Sequence, residues 1–302
     1  MKAILYRKYG PPEVLHLEDV AKPVPKNEEI LIKIRATTVS AADWRMRKAE
    51  PFIVRMFNGL FRPKKNILGL EFSGEVEEVG QNVTRFKKGD QVFAYAGDGF
   101  GGYAEYRCLP ENGNHECGIV ALKPAGLNDQ DAAAVPLGGL TALAFLRDRG
   151  KIQKKQSVLI YGASGSVGTY AVQLAKYFGA EVTAVCSTAN IAMVQDLGAD
   201  TVVDYIKEDF TERGQSYDII FDVVTKCSRA RAKKCLKPGG IFFTTFERIK
   251  FRPEDLDFLK ELCESGQLKP VIDRIYSLDA IIDAHRYVEQ FHKKGNVVVN
   301  ID

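Results

Sequence analysis

Seven residues, Gly162-Ala163-Ser164-Gly165-Ser166-Val167-Gly168, have the makings of a loop that holds a pyrophosphate against bare backbone. Glycine lets the chain come close to the phosphates, and a helix starting there offers free N–H groups and a positive dipole end. Gly168 lets that helix pack tightly on the strand before it. Read strictly as G-x-G-x-x-G, Ala163 replaces the first glycine. The second chemical segment is Cys186-Ser187-Thr188-Ala189-Asn190. An Asp or Glu normally stands there when the ligand is NAD, to hold the ribose 2′-hydroxyl. Without that charge a 2′-phosphate is not repelled, and the Ser187 and Thr188 hydroxyls can donate to it, which favours NADP(H). Ser187 also reads as a plain helix cap, and the two roles are compatible.

Both segments need a parallel sheet to position them. Val158-Leu159-Ile160-Tyr161 is an apolar run leading directly into the loop, and helically spaced apolar residues follow it. Further short strands are predicted at Glu181–Cys186, Thr201–Asp204, Ile219–Val224 and Ile241–Thr245, the last introduced by Pro238-Gly239-Gly240. Strands alternating with helical patterns make a doubly wound α/β unit covered on both faces.

The flanking chain reads differently. Residues 1–123 carry strand signals at Lys2–Tyr6, Ile30–Ile34, Phe72–Val76, Gln91–Ala94 and Gly102–Tyr106, with breaks at Pro11-Pro12 and Lys88-Gly89-Asp90. This is a mostly β domain. Helices are predicted from Pro253 to Glu264 and around Asp279 to Phe291, and a last strand from Asn296 to Ile301. The expected organisation is a β-rich substrate domain at 1–123 and 264–302, with the dinucleotide domain at 124–263 inserted between.

Composition sets bounds. The 302 residues carry 42 Lys and Arg against 39 Asp and Glu, a net charge of +3 that is no footprint for DNA. The basic run from Arg229 to Lys237 reads as a solvated helix face. No stretch has the roughly 20 apolar residues of a membrane span. Phe52 to Phe61, FIVRMFNGLF, is amphipathic and suits a membrane surface or a hydrophobic substrate. The cysteines at 108, 117, 186, 227, 235 and 263 and the histidines at 16, 115, 285 and 292 show no metal or disulfide spacing. With no signal peptide before the first strand, a cytoplasmic location is expected.

From end to end the chain resembles the medium-chain dehydrogenase/reductases of the zinc-independent quinone oxidoreductase, zeta-crystallin-like branch. The resemblance rests on Tyr9-Gly10-Pro11-Pro12-Glu13-Val14-Leu15, Leu68 to Gly74, Lys88 to Phe93, Gly139-Leu140-Thr141-Ala142, Tyr161 to Gly168 and His292 to Val297. It implies a GroES-like domain joined to a Rossmann domain, with a cleft between them. It also implies hydride transfer from NADPH to a quinone or an activated C=C. A 2-alkenal or enoyl reductase shares every one of these motifs. A catalytically weak NADPH-binding sensor or crystallin-like protein is the alternative of another class.

Zinc enzymes of the superfamily take ligands from Cys-Gly-x-Asp and Gly-His-Glu segments. The matching positions are Ser40-Ala41-Ala42-Asp43 and Gly69-Leu70-Glu71, so Cys and His are both gone. The resemblance makes Ser40 the candidate donor to the acceptor oxygen, with Asp43 bracing its loop. Thr141 is implied beside the nicotinamide, or else bonds back to its own helix. Tyr205 matches a tyrosine near the 2′-phosphate, and Lys294 is a candidate phosphate contact. Phe52 to Phe61 corresponds to a substrate lid. After Phe246 the family has a longer segment with a sixth strand and the dimer-forming edge. Here Arg248 to Pro253 follow almost at once, which leaves the usual homodimer open.

Overall fold

The computed structural model describes residues 1–301 and divides into two compact units. The first comprises Met1–Leu137, Arg252–Glu264 and Ile272–Asp302, and the second Gly138–Phe251 and Ser265–Val271.

The first unit begins with an antiparallel ribbon of β1 (Lys2–Tyr6) and β2 (Leu15–Asp19). The long β3 (Glu29–Thr38) is followed by α1 (Ala41–Lys48) and the short α2 (Val54–Asn58). Then come β4 (Glu71–Val79), β5 (Gln91–Tyr95), β6 (Tyr106–Pro110) and β7 (Ile119–Leu122). A five-residue α3 (Asp129–Ala133) precedes α4 (Pro136–Leu143), within which the chain passes into the second unit.

In the second unit β8 (Ser157–Tyr161) leads into α5 (Ser166–Tyr177), and β9 (Glu181–Cys186) into α6 (Ile191–Asp196). Next are β10 (Thr201–Asp204), β11 (Tyr217–Asp222), α7 (Arg229–Lys233) and β12 (Leu236–Thr244). The chain then returns to the first unit through α8 (Pro253–Glu264). It ends with β13 (Ile272–Ser277), α9 (Ile281–Glu289) and β14 (Asn296–Asn300).

Two sheets organise these elements. The larger runs β13-β14-β3-β4-β5-β7, with β6 also paired to β3. Ile30, Ile32 and Ile34 alternate along β3 and point to one side. They pack against Phe72, Val76, Val92, Leu109 and Ile301 in a core that excludes water. The second sheet runs β10-β9-β8-β11-β12, all neighbours parallel. β8 is central and buried on both faces, which is why Val158, Leu159 and Ile160 form a continuous apolar run. Together they are the β-rich plus Rossmann architecture that the resemblance implies. β12 forms one edge of this sheet, with no strand beyond it among the described residues.

One predicted strand is displaced. Gly102 to Tyr106 is not a strand; β6 starts at Tyr106 and pairs with β3 from Tyr106↔Lys33 to Pro110↔Glu29. The reason is local. A Cβ on Gly102 would lie 2.9 Å from Thr37 Oγ1 and 3.1 Å from the Gly69 carbonyl oxygen. The backbone is pressed there against another loop, so the segment meets β1 through an isolated antiparallel bridge, Ala104↔Ala3, and forms no ladder with it.

Candidate active site

In the second unit the loop between β8 and α5 has the shape a dinucleotide needs. Gly162 takes a positive φ of 89°, and its carbonyl receives the Gly165 N–H at 3.1 Å. The Ala163 N–H donates to Val185, which ties the turn to β9. Gly165 is the N-cap of α5, and Thr169 N–H makes the bond back to its carbonyl. The Val167 and Gly168 N–H groups lie in the first helical turn, ahead of any intrahelical acceptor. A Cβ on Gly168 would stand 2.2 Å from the Gly162 carbonyl oxygen, so this position admits no side chain. A Cβ on Gly165 would meet nothing nearer than 3.6 Å. The loop is thus closed against its own strand and open on the other side, which fits a pyrophosphate.

A side chain the sequence reading did not single out joins the two chemical segments. Asn190 Nδ2 donates to Ser164 Oγ at 3.0 Å and to Ser187 Oγ at 3.1 Å. Ser164 and Ser187, predicted from separate motifs, are brought together by this amide. Ser187 is the N-cap residue of a short helical turn and makes no side-chain cap bond, so its hydroxyl is turned to Asn190 instead. Thr188 behaves otherwise. Its hydroxyl donates to Asp204 Oδ2 at 2.5 Å, so β10 delivers the carboxylate that β9 lacks. Hydrogen bonding from Thr188, together with the Ile206 N–H and Lys207, holds the Asp204 carboxyl below the usual carboxylate range. Tyr205 follows it, exposed, with its N–H on the Cys186 carbonyl. Thr141 lies half-buried in α4, and its hydroxyl makes no hydrogen bond among the described residues.

The first unit holds a second cluster. Ser40 and Asp43 form a capping box on α1. Ser40 Oγ donates to Asp43 Oδ2 at 2.6 Å, and the Asp43 N–H returns to Ser40 Oγ at 3.3 Å. Asp43 also accepts the Ser40 and Gly69 N–H groups at 2.8 and 2.9 Å. The carboxyl is fully buried, and burial raises its pKa against the effect of these bonds. Tyr103, also buried, lies close enough to Asp43 for that charge to raise its own pKa further.

Glu71 and Lys293 are the other groups here that residue-by-residue reading missed. Glu71 is 1% exposed and takes the Thr38 hydroxyl at 2.5 Å and the Leu137 N–H at 2.6 Å. Burial pushes its pKa up to about 8. Burial pushes the Lys293 ammonium down to about 8, while Glu71 and Asp273 oppose the shift. Lys293 Nζ donates to the Gly295 carbonyl at 2.5 Å. Its neighbour Lys294 is exposed, and its N–H donates to Asp273 Oδ2 at 2.9 Å. The signal for Glu71 was its place in Gly69-Leu70-Glu71; Lys293 gave none beyond its charge. No group of three His, Cys, Asp or Glu side chains that could hold a metal occurs among the described residues.

Residues 26–139 match the family described as alcohol dehydrogenase GroES-like domain, and 166–245 and 241–299 match two described as zinc-binding dehydrogenase. The 2-methylene-furan-3-one reductase of Solanum lycopersicum is 35% identical over 321 residues, covering 99% of this chain and 79% of that protein. The chloroplastic NADPH-dependent alkenal/one oxidoreductase of Arabidopsis thaliana is 32% identical over the same shares of each. The structure of the quinone oxidoreductase from Coxiella burnetii superposes with a TM-score of 0.89 at 30% identity, covering 100% of this chain and 99% of that one.

Proposed function

Because the chain belongs to the medium-chain dehydrogenase/reductase superfamily, in its quinone oxidoreductase branch, we propose that it is an NADPH-dependent reductase of quinones or enone-type carbonyl compounds that works without zinc. The observation that carries this reading is the loop from Gly162 to Gly168, closed by Gly168 against β8 and open beside Gly165. Bound there, a nicotinamide dinucleotide supplies the hydride; the protein's part is orientation and charge. The Val167 and Gly168 N–H groups would take the pyrophosphate, with Ser164, Gly165 and Ser166 shaping the turn. Ser187, Thr188 and Tyr205 would meet the adenosine 2′-phosphate. Thr141 would face the nicotinamide, and Lys294 would reach a phosphate.

Ser40 is the proposed donor to the acceptor oxygen, where negative charge develops. To donate there its hydroxyl must leave Asp43 Oδ2. Asp43 is accordingly a positioning group that holds the Ser40 loop. The Ser40 and Leu70 positions lack the thiolate and imidazole that would bind a catalytic zinc. Six free thiols support a cytoplasmic location.

Reduction of 2-alkenals is the second reading, favoured by the relative named an NADPH-dependent alkenal/one oxidoreductase. Initial rates of NADPH and NADH oxidation with quinones, 2-alkenals and simple aldehydes, each with and without a chelator, test both. Chelator-insensitive, NADPH-dependent turnover is expected with quinones or enones. Tight NADPH binding without turnover on any acceptor would point to a sensor or structural protein.

A further inference from the structure

The segment around α2 is amphipathic the wrong way round. Phe52, Ile53, Met56, Phe57, Leu60 and Phe61 recur at helical spacing, and each is more than half exposed; Phe61 reaches 84%. The polar residues face inward. Asn58 is buried, donating to the Tyr6 hydroxyl at 2.8 Å and accepting the Lys65 N–H at 2.9 Å. The Tyr9 hydroxyl donates to the Gly59 carbonyl at 2.7 Å, and the Arg55 guanidinium lies over the Tyr9 ring. These bonds pin the segment to the first unit by its polar side and turn its apolar side to water. Nothing comparable occurs elsewhere among the described residues, where exposed large apolar side chains are scattered in ones and twos.

The charge at the rim selects what covers this face. From Lys48 to Lys65 the only acid is Glu50, and it pairs with Lys48 at 3.1 Å. Arg62, Lys64 and Lys65 have no acidic partner among the described residues. A contiguous apolar patch edged by unopposed cations matches the interface of an anionic bilayer, where rings and methyls enter the acyl boundary and ammonium groups stay with the headgroups. A second copy of the chain would bring the same cations against each other, and a neutral substrate would not use them. We propose that the Phe52–Phe61 face docks the protein peripherally on an anionic lipid surface. This inference does not depend on the identity of the hydride acceptor.

Flotation of the full chain with phosphatidylglycerol/phosphatidylcholine vesicles, and with phosphatidylcholine alone, tests it. The wild type should float with the anionic vesicles at low salt and be released at high salt. Phe57→Ser/Phe61→Ser should weaken partitioning at least about tenfold. Lys64→Gln/Lys65→Gln should weaken it about thirtyfold at low salt. Circular dichroism melts establish that both variants fold. No flotation of the wild type, or equal flotation of the Phe variant, overturns the proposal. So does a wild-type dimer that the Phe variant dissolves in light scattering, since a second copy then covers the face. A raised KM of the Phe variant for a hydrophobic quinone, with lipid binding unchanged, would also overturn it and assign the segment to substrate.

Discussion

Asn190 donates its side-chain amide to Ser164, at 3.0 Å, across the 26 residues of chain that separate the glycine loop from the end of β9. The same nitrogen reaches Ser187 at 3.1 Å, so one amide sets the spacing of a glycine-loop serine and the serine proposed at the 2′-phosphate. Asn190→Ala should therefore weaken NADPH binding while leaving the fold intact. Loss of one or two neutral hydrogen bonds of about 1 kcal/mol each corresponds to a Kd raised between about fivefold and thirtyfold. Fluorescence titration with NADPH checks this, and an unchanged Kd would separate Asn190 from the site.

Gly168 tolerates no side chain, because an added Cβ would meet the Gly162 carbonyl oxygen at 2.2 Å. Gly168→Ala should push α5 off β8, costing about 1–3 kcal/mol of stability and most of the NADPH affinity. Gly165→Ala, whose Cβ has 3.6 Å to its nearest neighbour, should leave stability unchanged and still impair NADPH binding. Thermal melts and titrations of the two variants side by side distinguish folding from ligand contact.

Asp204 places a carboxylate on Thr188 at 2.5 Å, close to where a 2′-phosphate would be held. Asp204→Asn should free the Thr188 hydroxyl from a charged acceptor and remove a repulsive charge. The expected result is a higher ratio of NADPH to NADH in kcat/KM. A ratio that falls instead would mean that Asp204 orders Thr188 for the phosphate.

The Glu71 and Lys293 shifts predict a stability profile with two limbs. Glu71 titrates near its ordinary 4.5 when unfolded and at about 8 when folded. The folded state thus holds the extra proton between these values, and stability falls as pH rises from about 4.5 to about 8. Lys293 goes from 10.5 unfolded to about 8 folded, so its contribution rises with pH across that upper window. Each limb has a maximum slope of about 1.4 kcal/mol per pH unit. Calorimetric melts from pH 5 to 10 should show each contribution as a difference between the wild type and the matching variant. Glu71→Gln should flatten the lower limb and Lys293→Met the upper one.

Ser40→Ala removes both the cap of α1 and the proposed donor. Capping accounts for about 1 kcal/mol of stability. Ser40→Gly keeps most of the cap, at a cost of a few tenths of a kcal/mol, but has no hydroxyl to donate. If Ser40 serves the acceptor oxygen, both variants should lose kcat with similar NADPH affinity. Retention of kcat by Ser40→Gly would reduce its role to capping.

Much of this architecture is legible in the chain because local signals are strong where the sheet is central. β8 follows from the Val158-Leu159-Ile160 run and the glycines after it. α8 is legible to the residue, since Pro253 sits at its first position and its apolar spacing ends at Glu264. β13 leaves no such signal because it is an edge strand with no fully buried side chain and no alternation to read. The site was legible only in part. Ser40 with Asp43 is a three-residue spacing, but Asn190 with Ser164 and Thr188 with Asp204 are joined by the order of parallel strands. Glu71 acquires its character from Thr38 and Leu137, neither near it in sequence.

The central claim is zinc-independent hydride delivery from NADPH to an activated C=C or a quinone. Its most direct test is turnover of [4-²H]NADPH, labelled on the transferred face, with an enone and in parallel with a quinone, in the presence of a chelator. The account predicts a saturated ketone bearing one deuterium on the former β-carbon, or stoichiometric hydroquinone. Deuterium on the carbinol carbon of an allylic alcohol, or consumption of neither acceptor, would contradict it.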